Sequence, residues 1–419
     1  MNNKLKMVRR AWRLAVGLGL CTVTLSTAWA QNSIFKVVPS PSPTVLGNTL
    51  NAVAAFSASD AWAVGFQDEN QLNGARTLTQ HWDGKAWTTV PSPNPGSTPR
   101  CQGQNTGNVL NAVAEVSPTN VWAVGFSFDC SSDLKPMVLH FNGVNWSAVQ
   151  TPALRTNDNS ALNGITAIAA NDIYAVGYQP AANGAVLALV EHFDGHAWSL
   201  VSTPDTGSTG VVLTAVSANS ATDVWAVGDS TDEPTTSIQT LVEHFDGAEW
   251  SIVPSPNPLP KAFLNQNILS SVKAISASDV TAVGFASDAG NLRILTLIEH
   301  WDGTQWSMVG SPNPSTASGT LNTLTAVSGF SSNDLYAVGF FANGSTSGEP
   351  KTLIEHFNGT NWSILPSPGS GVAQHLNGVF ARPNSRQVWS VGAATSVGVD
   401  PETGLLQLPL TQILFSPVG

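Results

Sequence analysis

The eleven residues EHFDGHAWSLV (191–201) hold a glutamate, two histidines, an aspartate and a tryptophan. That density of titratable groups is what an acid–base or metal site requires. The line returns as EHFDGAEWSIV (243–253), EHWDGTQWSMV (299–309) and EHFNGTNWSIL (355–365). Its first histidine belongs to the series His81, His140, His192, His244, His300 and His356, each able to ligate a metal or shuttle a proton. Whether six such groups can meet depends on the elements that hold them.

Those elements repeat. Leu50, Leu110, Leu162, Leu213, Leu269, Leu324 and Leu376 stand 60, 52, 51, 56, 55 and 52 residues apart. Each is followed by DAWAVG, NVWAVG, DIYAVG, DVWAVG, DVTAVG, DLYAVG or QVWSVG. A period of this size with β-type content points to a propeller or a solenoid. Within the first unit, 50–57, 61–66, 77–82 and 86–90 read as four short strands. Asp83-Gly84, with its Asp/Asn-Gly equivalents, predicts a tight hairpin between the third and fourth, with positive φ at both positions. The Pro-Ser-Pro-Asn-Pro segment at 91–95 and 254–258 ends pairing and carries the chain onward.

The seventh unit runs out after LTQILF (410–415), its third strand. The missing piece lies at the other end, where IFKVVPSPSP (34–43) matches AWTTVPSPNP (86–95) with Phe35 in the tryptophan's place. A solenoid has no use for such a permutation, whereas closure of a ring protects sheet edges. The expected fold is therefore all-β: one seven-bladed propeller of four-stranded antiparallel blades over 31–419, closed by the N-terminal strand. In it the six histidines sit on different blades and cannot converge, so a structural bond to a neighbouring strand or turn is expected. The tryptophans Trp87, Trp146, Trp198, Trp250, Trp306 and Trp362 are expected to pack blade against blade.

Each unit resembles a kelch-type repeat, as in the galactose oxidase propeller domain. DIYAVGY (172–178) is similar to that family's Tyr-x-x-Gly-Gly strand, and EHFDGHAWSLV to its Tyr-Asp…Trp-x-x-Val segment. The second glycine of the family's doublet is replaced by Phe66, Phe126, Tyr178, Asp229, Phe285, Phe340 and Ala393. The resemblance implies a propeller and not the copper chemistry, because Tyr174, Tyr178 and Tyr336 are the only tyrosines and all stand at repeat positions.

One rim of such a ring carries short, uniform turns, and the other carries variable loops: 67–76, 127–136, 229–239 and 286–294. Variable loops on a rigid scaffold commonly carry recognition. Phe66, Phe126, Tyr178, Phe285 and Phe340 emerge on that rim as candidate platforms for sugar rings, or as wedges between blades. The residue after each anchor leucine is polar: Asn51, Asn111, Asn163, Thr214, Ser270, Thr325 and Asn377. It is a candidate hydrogen-bonding collar at the channel mouth, or else serves its own strand end. Cys101 and Cys130 fall on the same rim of the second blade, and a disulfide between them is expected. Asp229, Asp232 and Glu233 read as an acidic loop, solvated rather than calcium-binding. No cofactor, metal site or catalytic motif is found; GxSxG, HExxH and a phosphate loop are all missing.

Residues 1–30 have a basic start, the apolar run 14–24 and Ala28-Trp29-Ala30, which is the order of a cleaved secretory signal; Arg9-Arg10 leaves the export route open. Removal of five cations leaves 12 Lys+Arg against 28 Asp+Glu, a net charge of −16. Such a surface repels nucleic acid and anionic lipid. The expectation is a secreted, periplasmic or extracellular monomer, not an enzyme, that binds a glycan or an envelope protein. The alternatives are an assembly scaffold, or a glycosidase or lyase with carboxylates at the channel mouth.

Overall fold

The computed structural model describes residues 34–417 apart from 45–46, 69–73, 98–105, 131–132, 155–158, 233–234, 345–348, 370–372, 384 and 399–405. The expected signal segment 1–30 lies outside these. Among the described residues the fold is all β, with no helix.

The first unit pairs Gly47–Ser57, Asp60–Asp68, Ala75–Trp82 and Trp87–Thr89 antiparallel in that order. The same order recurs behind the first strands Gly107–Ser117, Ala161–Ala169, Gly210–Ser220, Gln266–Ser276 and Leu321–Ser331. The last three strands of the chain are Gln374–Arg382, Gln387–Gly398 and Leu406–Pro417. The outer edge of Leu406–Pro417 is taken by the two-residue strand Lys36–Val37, with Lys36 opposite Phe415 and Val37 opposite Leu414. Val38 N donates to Ile413 O at 2.9 Å and extends that contact.

Two local devices shape each unit. Between Leu50 and Ala52 the register to the second strand shifts, so Asn51 is an extra, unpaired residue; the shift recurs after Leu110, Leu162, Leu213, Leu269, Leu324 and Leu376. Opposite this bulge stands the glycine of each AVG or SVG. A Cβ on Gly65 would lie 2.0 Å from Thr49 O, so no side chain fits. At the hairpin, Gly84 alone of the Asp-Gly pair has positive φ, 91°. The Asp83 carboxylate instead accepts the N–H groups of Lys85 (2.8 Å) and Ala86 (2.9 Å), which closes the turn and holds its pKa below the usual carboxylate range.

The proline segments are anchored as well as stiff. Asn94 Oδ1 accepts Thr77 N at 2.8 Å, and the Ser92 and Thr77 hydroxyls lie 2.8 Å apart. Asn257 and Ser255 hold Thr240 in the same way, and Asn313 and Ser311 hold Thr296.

Units pack face to face through aromatics. Trp62 is boxed by His81 of its own unit (ring centroids 4.7 Å) and by Phe141 (4.6 Å) and Trp146 (5.2 Å) of the next. The pattern recurs for Trp122 against Trp198, Tyr174 against Trp250 and Trp225 against Trp306. Among the described residues no ladder joins the four-stranded sheet holding Lys36–Val37 and Leu406–Pro417 to the larger sheets of eight and sixteen strands. Side chains bridge it to the first unit: Trp389 meets Trp82 and Trp87, each at 5.3 Å. On its other side Phe35 takes the place of the outer tryptophan and meets Tyr336 edge-on at 6.1 Å, 1% exposed.

Phe35 is therefore the residue that seats the N-terminal strand. Phe35→Ala should lower unfolding stability by about 3–5 kcal/mol, the range for a buried phenylalanine, as read from chemical denaturation. A change under about 0.5 kcal/mol, typical of exposed positions, would show that the strand is not held.

Candidate functional site

The histidines are fixed by partners in their own units. Nε2 of His81, His192, His244, His300 and His356 lies 2.7–2.9 Å from Oδ1 of Asp60, Asp172, Asp223, Asp279 and Asp334; His140 meets Asn120 at 2.9 Å. Each carboxylate is the first residue of a second strand, so the pair bridges neighbouring strands. The stacked aromatic covers the imidazole face, at 4.1 Å for Trp225 on His244 and 4.2 Å for Trp122 on His140. Among the described residues no three His, Cys, Asp or Glu side chains gather as a metal site. His196, which stands outside the repeat, sits exposed in its hairpin turn.

The collar residues reach across to the next unit. Nδ2 of Asn51, Asn111 and Asn163 donates at 2.8 Å to the carbonyls of Leu110, Leu162 and Leu213. Thr214 Oγ1 donates to Leu269 O (2.7 Å) and Thr325 Oγ1 to Leu376 O (2.8 Å). Asn377 Nδ2 donates to Leu50 O at 3.0 Å, joining the last unit to the first. Among the described residues Ser270 makes no such bond. These side chains are thus placed as clamps between units, and Thr214 and Thr325 also donate to carbonyls of their own second strands, Val227 O and Val338 O, at 3.0 Å each.

Phe66, Phe126, Tyr178, Phe285 and Phe340 are all half-buried, unlike the buried second-strand aromatics such as Trp62 and the outer tryptophans such as Trp146. Among them only Phe340 touches another ring, His375 of the following unit, at 6.0 Å. Burial lowers the His375 pKa and raises that of Tyr178. The loops they border are shorter than the sequence suggests, because the second and third strands continue to Asp68 and from Ala75, and to Asp288 and from Arg293. Asp229 is accordingly not in a loop. It lies within the strand Asp223–Asp232 opposite Val212 and Thr240, the ladder having extended past the glycine. Burial of its carboxyl pushes the pKa up to about 7. Glu233 lies outside the described residues, as does Cys101; Cys130 stands in the turn after Asn120–Phe128.

A set of groups that the sequence pattern did not single out lies beside the histidines. Glu191, Glu243, Glu299 and Glu355, each the residue before a repeat histidine, are 0% exposed. They face away from the histidine side, toward the crossing segment of the preceding unit, where Ser311 Oγ donates to Glu355 at 3.0 Å and Ser255 lies against Glu299. The carboxylates of Glu191 and Glu243 have no hydrogen-bond partner among the described residues. Burial pushes all four up to about 8. The equivalent in the first unit is the neutral Gln80, whose Nε2 donates to Pro41 O at 2.7 Å. A glutamate in the EHF line was the available signal, since its spacing puts it on the face opposite the histidine.

No protein-family model and no curated protein matches the chain. Solved structures do. One is YCF48 bound to D1 peptide, 12% identical, covering 93% of this chain and 98% of that one with a TM-score of 0.52. Another is a polysaccharide lyase, PL25 ulvan lyase bound to -[GlcA(1-4)Rha3S]-, 9% identical, covering 85% and 90% with a TM-score of 0.50. A second structure of that lyase is 10% identical over 87% and 94%, with a TM-score of 0.51. These likenesses, with the strand-rich structure, indicate a β-propeller-like fold.

The buried glutamates make stability depend on pH. Their pKa rises from 4.5 to about 8 on folding, so the folded state holds protons that the unfolded chain releases. Their favourable contribution is complete below about 4.5 and is lost as pH rises toward 8. Glu115, pushed to about 9 by burial and the nearby Asp60, and Asp229 act with the same sign; His140 and His375, lowered by burial, act oppositely at acid pH. The midpoint of denaturant unfolding should therefore fall between pH 5 and 8. Replacing all four glutamates with glutamine should flatten that slope, each group contributing up to about 1.4 kcal/mol per pH unit between its unfolded and folded pKa. An unchanged slope would mean that these groups ionise freely in the folded state.

Proposed function

We propose that residues 31–419 form one seven-bladed, kelch-like propeller closed by the N-terminal strand and exported through the segment 1–30. We further propose that it is a non-enzymatic scaffold binding carbohydrate or protein through the rim of second-to-third-strand loops. The Lys36–Val37 pairing and the Asn377–Leu50 clamp support closure. The monomeric state and a Cys101–Cys130 disulfide belong to the same reading.

The observation that carries the binding role is the state of the rim aromatics. Phe66, Phe126, Tyr178 and Phe285 are half-buried and meet no other ring among the described residues, while the repeated histidines and asparagines are committed to scaffold bonds. Aromatic faces left in this state suit stacking on sugar rings or on apolar side chains. Proteins of similar fold bind a peptide in one case and a saccharide in another. Asp229 favours a second reading, an enzyme acting on glycans. It replaces the rim aromatic in the fourth unit, and a carboxyl pushed to about 7 lies in the range of a general acid or base.

A glycan array with the mature protein is expected to show saturable binding that the triple variant Phe66→Ala, Phe126→Ala, Phe285→Ala loses by at least about tenfold, ~1.4 kcal/mol. Wild-type binding by the triple variant would refute the rim assignment. Turnover of an array hit that Asp229→Asn abolishes would replace binding with catalysis as the function.

A further inference from the structure

One row of residues crosses every unit on the face turned to the next. Directly opposite one another stand Ala54, Trp62 and His81 in the first unit, then Ala114, Trp122 and His140 in the second. Thr166, Tyr174 and His192 form the third row, and Ser217, Trp225 and His244 the fourth. The sixth is Ser328, Tyr336 and His356, and the last is Phe380, Trp389 and Phe415. The centre of each of these rows is an indole or a phenol. In the fifth unit the row reads Lys273, Thr281 and His300.

The walls of the missing ring's box remain. His300 is still held by Asp279, and the following unit still presents Phe357 and Trp362, 5.4 Å apart. Trp362 is the only outer tryptophan without a second-strand aromatic to meet, and it is the most exposed of the six at 8%. Between these groups, with Thr281 as the floor, lies a cavity of about 510 Å³ that reaches the hairpin rim at Asp302 and Gly359. That volume falls in the range of about 300–1,000 Å³ usual for small-molecule sites. The His300 side chain is 36% exposed, against 23–30% for its aspartate-paired counterparts, as expected once its aromatic cover is gone.

We propose that this cavity is a binding site for an indole-type ring, planar and carrying an N–H. The second and fourth units supply the template for the complex, whereas in the first the Trp62 Nε1 has no partner among the described residues. Trp122 Nε1 donates to Asn120 Oδ1 at 2.7 Å and Trp225 Nε1 to Asp223 Oδ1 at 2.8 Å, while each indole stacks on its histidine. The counterpart acceptor here, Asp279 Oδ1, takes His300 Nε2 at 2.9 Å and no indole. A bound ring would lie on His300 and donate its N–H to Asp279, with Phe357 and Trp362 as the facing wall. The site stands on the hairpin rim and does not depend on the binding assigned to the variable rim.

The test uses the mature chain and saturation-transfer NMR with 3-methylindole, N-acetyl-tryptophanamide, a Gly-Gly-Trp-Gly-Gly peptide and 3-methylbenzofuran, which has the same shape without the N–H. Saturable binding of 3-methylindole is expected, with 3-methylbenzofuran at least about tenfold weaker, ~1.4 kcal/mol. Equal binding of the peptide would identify a partner's tryptophan side chain as the source of the ring; binding of 3-methylindole alone would identify a free ligand. Thr281→Trp with Lys273→Ala copies the row of the first unit into the fifth, and should abolish binding while raising the melting temperature. Thr281→Tyr with Lys273→Ser copies the sixth, and serves the same purpose if the tryptophan variant does not fold. The three rim phenylalanine substitutions should leave indole binding unchanged. Absence of saturable indole binding to the wild type, or undiminished binding in a filled variant, would show a packing defect only and overturn the proposal.

Discussion

The structure depends on what happens at one bulge. Each first strand carries an extra residue after its leucine, and that residue cannot join the ladder of its own unit. Turned sideways, it bonds the leucine carbonyl of the next unit in every case but Ser270. A buried carbonyl needs a partner, and here the partner comes from the neighbouring unit. The same bulge explains the neighbouring sequence. The glycine of AVG must pass within reach of the first-strand backbone, where any Cβ would collide. The short polar residue, the leucine and the glycine are therefore one device, and together they set how closely adjacent sheets approach. Once that distance is fixed, there is room between units for one aromatic layer, and the box around Trp62 is the result.

This arrangement accounts for the catalytic appearance of EHFDGHAWSLV. His192 is bound by an aspartate that begins the second strand and is covered by Tyr174; the Asp194 carboxylate closes the hairpin; Trp198 is a wall of the preceding unit's box. In these lines the groups that burial perturbs are the glutamates beside the histidines, on the opposite face of the same strands. Strand alternation separates the two sets. A histidine with a partner and a glutamate without one can therefore be sequence neighbours and still face different interfaces.

Much of this architecture is legible in the amino-acid sequence alone. The period, the order of four strands, the Asp-Gly hairpins and the match of 34–43 to an outer strand all follow from local pattern, because each is specified within one unit. Contacts between units are not legible in that way. The acceptor of Asn51 lies 59 residues away and that of Asn377 lies 327 away, and no local rule names a carbonyl in another unit. The glutamates escape notice for a related reason, since their surroundings are the crossing segment of the preceding unit. Strand ends differ from expectation where polar residues such as Asp229 continue a ladder, because pairing with Val212 and Thr240 outweighs their weak strand preference.

DVTAVG is visible among seven similar signatures, yet its weight depends on the box. Replacing a large buried aromatic with a small residue ordinarily costs about 3–5 kcal/mol. Every other unit retains the ring at that position, so the surrounding architecture can accommodate it. Lys273 accompanies the change in the same cross-strand row, where the other units have alanine, threonine, serine or phenylalanine, and burial holds its pKa below the usual lysine range. Two departures at once, in contact positions of one row, make the fifth interface the least favourable of the set for stability alone. In a scaffold whose repeated histidines, bulge residues and interface aromatics are committed to holding strands and units together, an interface built with less than its full complement is where an external group can supply what the sequence leaves out.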